Sequence, residues 1–294
     1  MASSLIGLSL QASALDVVLA FTQVQAPSTS LDGTARTQMI INHLRRLDAG
    51  PVAIFVRTHE LTAKTRGRIS LYDNAGHLLV NNGHRYHLLS RPDLYRYQAD
   101  LLIADRQLRR YKNYMGHVHL ANFETTEAKS YRERLLDFAH DRGLVPVAVS
   151  IRVQDAYLNR RYQQQVNRHR RVDIAALQDA YVDMIWQELL YYQKLAMPTH
   201  GRAPLVLLLE ENDLTAYFLP GLIDRIRDNG GRILAPQTVF NRPFITSVPV
   251  NPHTAGGYVA ALGLAVPPRL QAPYIIGGDK PWADQFLLRH GLLQ

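Results

Sequence analysis

The segment Pro204 to Asp213, P-L-V-L-L-L-E-E-N-D, sets five consecutive aliphatic residues, Leu205 to Leu209, between a proline and an acidic, amide-rich cluster. An apolar run this short, bounded by turn formers and followed by a helical pattern, predicts a strand buried on both faces, as parallel strands are. In α/β sheets and barrels, ligands and catalytic groups gather at the carboxyl ends of the strands. Glu210, Glu211 and Asn212 therefore stand at a candidate site. The same three residues also suit the start of the following helix, where an Asn caps well, so both roles stay open at this stage.

Working outward, similar runs predict further strands at Asp16–Phe21, Val52–Val56, Gly76–Val80, Gly116–Ala121, Val145–Ile151 and Arg232–Ala235. Helical patterns lie between them. Met39, Ile40, His43, Leu44 and Leu47 share one helical face, closed by Gly50. Ser90 with Asp93, and Pro92 between them, predicts a helix reaching about Arg110. Tyr131, Leu135 and Phe138 mark another helix, ended by Gly143, and Asp173 opens the longest, with Ile174, Leu177, Tyr181, Met184, Ile185 and Leu189 on one stripe and Pro198 beyond its end. Leu219–Arg227 is read as a helix with Pro220 in its first turn, ended by Asn229-Gly230-Gly231, and Arg57–Asn74 as a long irregular segment. Six or seven strands separated by helices favour a parallel (β/α) barrel over residues 1–245. Residues 246–294 turn rich in Pro, Gly and Ala and read as a C-terminal extension wrapping on the barrel.

Of the 294 residues 47% are hydrophobic and 20% charged, the make-up of a globular chain with a full core. No apolar run approaches the ~20 residues of a membrane-spanning helix. The first residues include Ala12-Ser13-Ala14, which mimics a cleavage site, but they lack a basic leader. The cytoplasm is the expected compartment, with the periplasm as the alternative. Absence of cysteine removes thiol nucleophiles, thiolate metal sites and disulfides together. The net charge of +8 comes from a basic set that is almost all arginine, whose forks suit carboxylate and phosphate. Arg160, Arg161, Arg168, Arg170 and Arg171 form the densest run. No nucleic-acid reading motif accompanies it, so a solvated face is the expectation there.

Histidine supplies a second signal. His117 and His119 sit two apart on a predicted strand and so point to one side, and His84 and His87 lie in the loop N-N-G-H-R-Y-H, Asn81 to His87. These four could hold a divalent metal such as zinc, with Glu210 or Glu211 as a further ligand or base. They also read as loop and core histidines.

The stretch V-A-V-S-I-R-V-Q-D-A-Y-L, then L-V-L-L-L-E-E-N-D-L, then R-I-L-A-P-Q-T-V-F-N-R-P-F, together spanning Leu144 to Ile245, resembles the polysaccharide deacetylases of the NodB-homology, carbohydrate esterase 4 family. Asp16–His140 resembles it more weakly, and nothing past about residue 246 does. The resemblance implies a distorted (β/α) barrel. It also implies a chemistry in which a divalent metal, held by one Asp and two His, activates water against an acetamide carbonyl, with an Asp as base and a distant His as acid. The residues depart from that pattern. The base position falls on Thr22, the metal-binding Asp on Gln23, the two metal-binding His on Asn82 and Tyr86, the family's Arg on His119 and the acid His on Glu210. Asp155 and Asn212 alone keep the family's residue type. Thr is no carboxylate base, and neutral amides are poor zinc ligands.

The expectation is therefore a deacetylase-like protein without the metal triad or the acid and base: a non-catalytic carbohydrate-binding or scaffolding pseudoenzyme that needs no cofactor. Thr22, Gln23, Asp155 and Glu210 are the pocket candidates, and Asn82, His84, Tyr86, His87, His119 and Asn212 the substrate-binding ones. The alternative is a hydrolase of a carbohydrate-like amide or ester using a relocated zinc site at His84, His87, His117 and His119. The expected partner is a carbohydrate or another small polar or acidic ligand, with nucleic acid and membrane spans disfavoured. The sequence leaves the oligomeric state open.

Overall fold

The structure is a computed structural model that describes residues 15–59, 61–85, 93–120, 129–200, 203–241 and 280–289. Among the described residues, eight strands form one parallel sheet: β1 (Asp16–Thr22), β2 (Ala53–Val56), β3 (Leu78–Asn81), β4 (Tyr114–His119), β5 (Val145–Val147), β6 (Ile151–Arg152), β7 (Leu205–Glu210) and β8 (Arg232–Ile233). Helices α1 (Gly33–Arg46), α2 (Ala63–Asn74), α3 (Leu94–Leu108), α4 (Lys129–Asp141), α5 (Asp155–Asn167), α6 (Ile174–His200) and α7 (Asp213–Asp228) follow the strands, and α8 (Lys280–Arg289) comes last. Among the described residues no helix is long and apolar enough to cross a membrane.

The strand order is β5-β4-β3-β2-β1-β7-β6. Its two outermost strands, β5 and β6, are consecutive in the chain and separated by Ala148, Val149 and Ser150. Four residue steps reach at most about 14 Å, so the sheet has to curl until its edges face each other across that link. The Ser150 N–H donates to the Val206 carbonyl (3.0 Å) and its hydroxyl accepts from the Val206 N–H (2.8 Å), bringing the link onto β7. The predicted single strand Val145–Ile151 is thus two strands at opposite ends of one curled sheet. β1 pairs with β7 along Val17–Thr22, and its other edge is divided between β2, at Ala20 and Phe21, and β8, at Asp16 and Val17.

Alternation along the strands makes two apolar layers. Val18, Ala20, Ala53, Phe55, Leu78, Val80, Val147, Val149, Val206 and Leu208 fill the barrel, closed from below by Val239 and Phe240. Their neighbours Val17, Leu19, Phe21, Ile54, Leu79, Leu207 and Leu209 face outward against Ile40 of α1, Tyr72 of α2, Tyr181 and Ile185 of α6 and Ile226 of α7. The position two residues beyond the last interior side chain of each strand therefore arrives at the mouth.

Helices α2, α3, α6 and α7 differ from the sequence expectation. Arg57–Asn74 contains α2, whose inward residues are Thr65, Arg68, Ile69, Tyr72 and Asp73; mostly polar, they leave no apolar stripe to read. α7 begins at Asp213 under an Asn212 cap and carries Pro220 in its interior rather than its first turn. α6 continues to His200, through Pro198. α3 opens at Leu94 with Asp93 as its cap, accepting from the Arg96 N–H; Ser90 and Pro92 lie outside the described residues. Of the C-terminal extension, α8 is described. The Asp284 carboxylate accepts from the Tyr157 hydroxyl (2.8 Å) and pairs with Arg161 (3.1 Å), both on α5, and Phe286 and Leu287 join the outer core.

Candidate functional site

The mouth parity brings together Thr22 from β1, Arg57 after β2, Asn82 after β3, His119 from β4, Arg152 from β6 and Glu210 from β7. Thr22 and Glu210 are register partners in adjacent parallel strands. His119 is buried, edge-on to Phe55 at 5.2 Å. Its Nε2 lies 3.3 Å from Arg152 Nη2, and its Nδ1 lies 2.9 Å from Asn82 Oδ1. Arginine only donates, so Nε2 is the acceptor and Nδ1 carries the proton, which it gives to Asn82 Oδ1. The Asn82 amide N–H then points to Thr22 Oγ1 at 3.4 Å. The result is a directed relay from Arg152 through His119 and Asn82 to Thr22. Burial, and then the charges of Arg152 and Arg57, hold the His119 imidazole well below its ordinary range, so it is neutral.

Glu210 is pushed up by burial, and Arg160 opposes the shift. Asp155 opens α5 beneath it. One Asp155 oxygen accepts from the Glu210 N–H (2.7 Å) and the Asn212 amide (3.1 Å). Burial, and then the charge of Glu210, raise Asp155 to about 8 against those donors. Asn212 is buried, and its Oδ1 accepts from the Thr215 N–H (2.9 Å): its side chain caps α7 and steadies Asp155.

Glu211 turns the other way. It is fully buried in the helix layer, where one oxygen accepts from Thr37 (2.8 Å) and Arg68, and the other from Tyr72 (2.8 Å), with Arg36 Nε 3.6 Å away. Arg36 and Arg68 also donate to the Ala26 carbonyl, at 3.1 and 3.0 Å. This buried cluster therefore anchors the β1–α1 loop that follows Thr22. In that loop Gln23 adopts φ 62°, and its Oε1 accepts from Gln25.

The predicted histidines do not all meet. His84 Nδ1 pairs with the Thr58 hydroxyl at 3.0 Å, its ring edge-on to His59. His117 faces Phe240 at 5.8 Å, with Nε2 3.2 Å from Asn241 Oδ1. Tyr86 and His87 lie outside the described residues. Among the described residues no three His, Asp or Glu side chains converge as a metal would need. At the positions that the resemblance gives to metal ligands, Gln23 and Asn82 are neutral amides, which fit zinc poorly, and Asn82 Oδ1 already takes the His119 N–H. Sequence reading missed Arg57 and Arg152 as mouth residues. The signal was strand parity, since Arg57 follows the interior Phe55 by two and Arg152 ends a strand.

No protein-family model and no curated protein matches this sequence. Solved structures do. A family 4 carbohydrate esterase from Streptomyces lividans superposes with a TM-score of 0.50 at 15% identity, over 78% of this chain and 97% of its own. A chitin deacetylase from the fungus Colletotrichum lindemuthianum gives 0.51 at 11% identity, over 78% and 88%. A peptidoglycan N-acetylglucosamine deacetylase gives 0.50 at 14% identity, over 77% and 88%. At such identities the likeness is one of architecture, and it agrees with the curled parallel sheet and its ring of helices. The chain has the fold of the carbohydrate esterase 4, NodB-type polysaccharide deacetylases, a distorted (β/α) barrel.

Proposed function

We propose that this chain is a divergent member of the polysaccharide deacetylase family that binds a carbohydrate at the barrel mouth without hydrolysing it. One observation carries the reading: His119, Asn82 and Thr22, at the positions that the family resemblance gives to an arginine, a metal ligand and a base, are joined with Arg152 in one relay. Each residue in it donates to the next. Such an arrangement offers fixed donors to a ligand, while Thr22 is no base for water and Asn82 no cation ligand. The fold supports a carbohydrate as the ligand class, since the similar solved structures are described as a carbohydrate esterase, a peptidoglycan deacetylase and a chitin deacetylase.

The test pairs elemental analysis of the purified protein, before and after loading with zinc, nickel and cobalt, with acetate release from N-acetylated oligosaccharides and a glycan-binding screen. Glycan binding with neither bound metal nor acetate release is the expected outcome. About one equivalent of metal, lost on changing His84, His87, His117 or His119 to Ala, would replace this reading with a rebuilt hydrolase.

A further inference from the structure

We infer that the mouth is a carboxylate-recognising subsite, and that the sugar it takes carries an acid group, as a uronic acid does. This rests on the carbohydrate reading above and narrows it. The warrant is the polarity of the groups left facing out. Within the relay, His119 and Asn82 spend their acceptors on protein donors. Arg152 gives one N–H to His119 and, among the described residues, lies in no carboxylate ion pair; an arginine has five N–H groups in a fork that matches a carboxylate. Thr22 Oγ1 accepts from Asn82 and keeps its own proton to give. Arg152 and Thr22 thus present donors and positive charge at the mouth beside a neutral histidine.

Glu210 stands between Thr22 and Arg152, since β7 is flanked by β1 and β6. It is half-buried, next to Thr22 in the register and within the influence of Arg160. Its carboxyl oxygens are acceptors suited to ring hydroxyls. A ligand that matches both the Arg152 fork and the Glu210 carboxyl needs an anionic acceptor and hydroxyl donors together. A neutral N-acetylated sugar satisfies only the second requirement. A bare anion satisfies only the first.

The experiment is calorimetric titration of the full chain with three probes: oligogalacturonate, a neutral N-acetylchitooligosaccharide and citrate. It is repeated with Arg152→Gln and Arg152→Lys. The expected result is oligogalacturonate bound at least about tenfold more tightly than either of the others. Arg152→Gln should weaken it by about tenfold to a hundredfold, the loss of a charged hydrogen bond, and Arg152→Lys by less. The ¹⁵N resonances of the His119 ring should move with oligogalacturonate and stay still with the neutral oligosaccharide. If Arg152→Gln fails to fold, Thr22→Val carries the same comparison, with a loss of several-fold expected. Equal binding of neutral and acidic sugars, indifferent to Arg152→Gln, overturns the carboxylate subsite and leaves the carbohydrate reading intact. Citrate bound as tightly as oligogalacturonate overturns the carbohydrate reading and the acidic sugar built on it, and no binding of any probe overturns both the carbohydrate reading and the carboxylate subsite.

Discussion

Glu210 and Glu211 are adjacent, identical in chemistry and opposite in fate. Strand parity sends the first to the mouth and the second into the helix layer, where Arg36, Arg68, Thr37 and Tyr72 surround it. The pair E-E carries no sign of that division until the strand's interior face is known, so position was legible in the sequence and orientation was not. Removing one partner of a buried ion cluster strands the other charges. Glu211→Ala should therefore destabilise the fold by about 3–5 kcal/mol, read as a lowered urea midpoint, whereas Glu210→Ala should cost little stability. A second residue-scale prediction concerns pH. Burial first, and then Asp155, raise Glu188 of α6 to about 8, and burial with Glu210 raises Asp155 to about 8. Both lie above their unfolded values of about 4, so the native state binds more protons between those limits. The stability that this contributes is complete below about pH 4 and is lost as pH rises to about 8. Urea midpoints should fall from pH 5 to pH 9, and Glu188→Gln should flatten that slope.

At the scale of elements, apolar periodicity located the strands and most helices but missed α2. Its buried face includes Arg68, Tyr72 and Asp73, satisfied by partners far away in the chain, Glu211 for Arg68 and Tyr72 and Asn113 for Asp73. A helix held by polar contacts of long sequence separation has no local signature. The start of α7 was legible as chemistry rather than as pattern, since Asn212 offered a cap, and the proline at 220 drew the predicted boundary too late. Asn212→Ala removes both the cap bond and a donor to Asp155, and should cost about 1–2 kcal/mol in chemical denaturation. Gly231 precedes β8, where an added Cβ would lie 2.8 Å from the Ile226 carbonyl and 3.0 Å from that of Leu15. Backbone cannot swing aside as a side chain can, so Gly231→Ala should destabilise by more than the same change at Gly67, whose Cβ would meet nothing.

For the molecule as a whole, the barrel was legible from strand number and alternation. How the mouth residues connect was not, because the relay joins four different strands. The C-terminal helix is integrated through Phe286 and Leu287 as much as through the Asp284 contacts. Phe286→Ala should accordingly cost about 3–5 kcal/mol, the range for a buried aromatic, while Asp284→Ala should cost under about 1 kcal/mol.

The seating of β7 between β1 and β6 also sets a timetable for synthesis. The first five strands pair in their order of emergence, but one long edge of β1 has no partner until residues 205–210 leave the ribosome. At about 5–20 residues per second that edge, the sequence D-V-V-L-A-F-T, waits about ten to forty seconds with its hydrogen-bonding groups open. A nascent or truncated chain ending near His200 should therefore self-associate in a sedimentation assay, where the full chain stays dispersed. The order of strands that completes the barrel is also the order that leaves its central strand exposed longest.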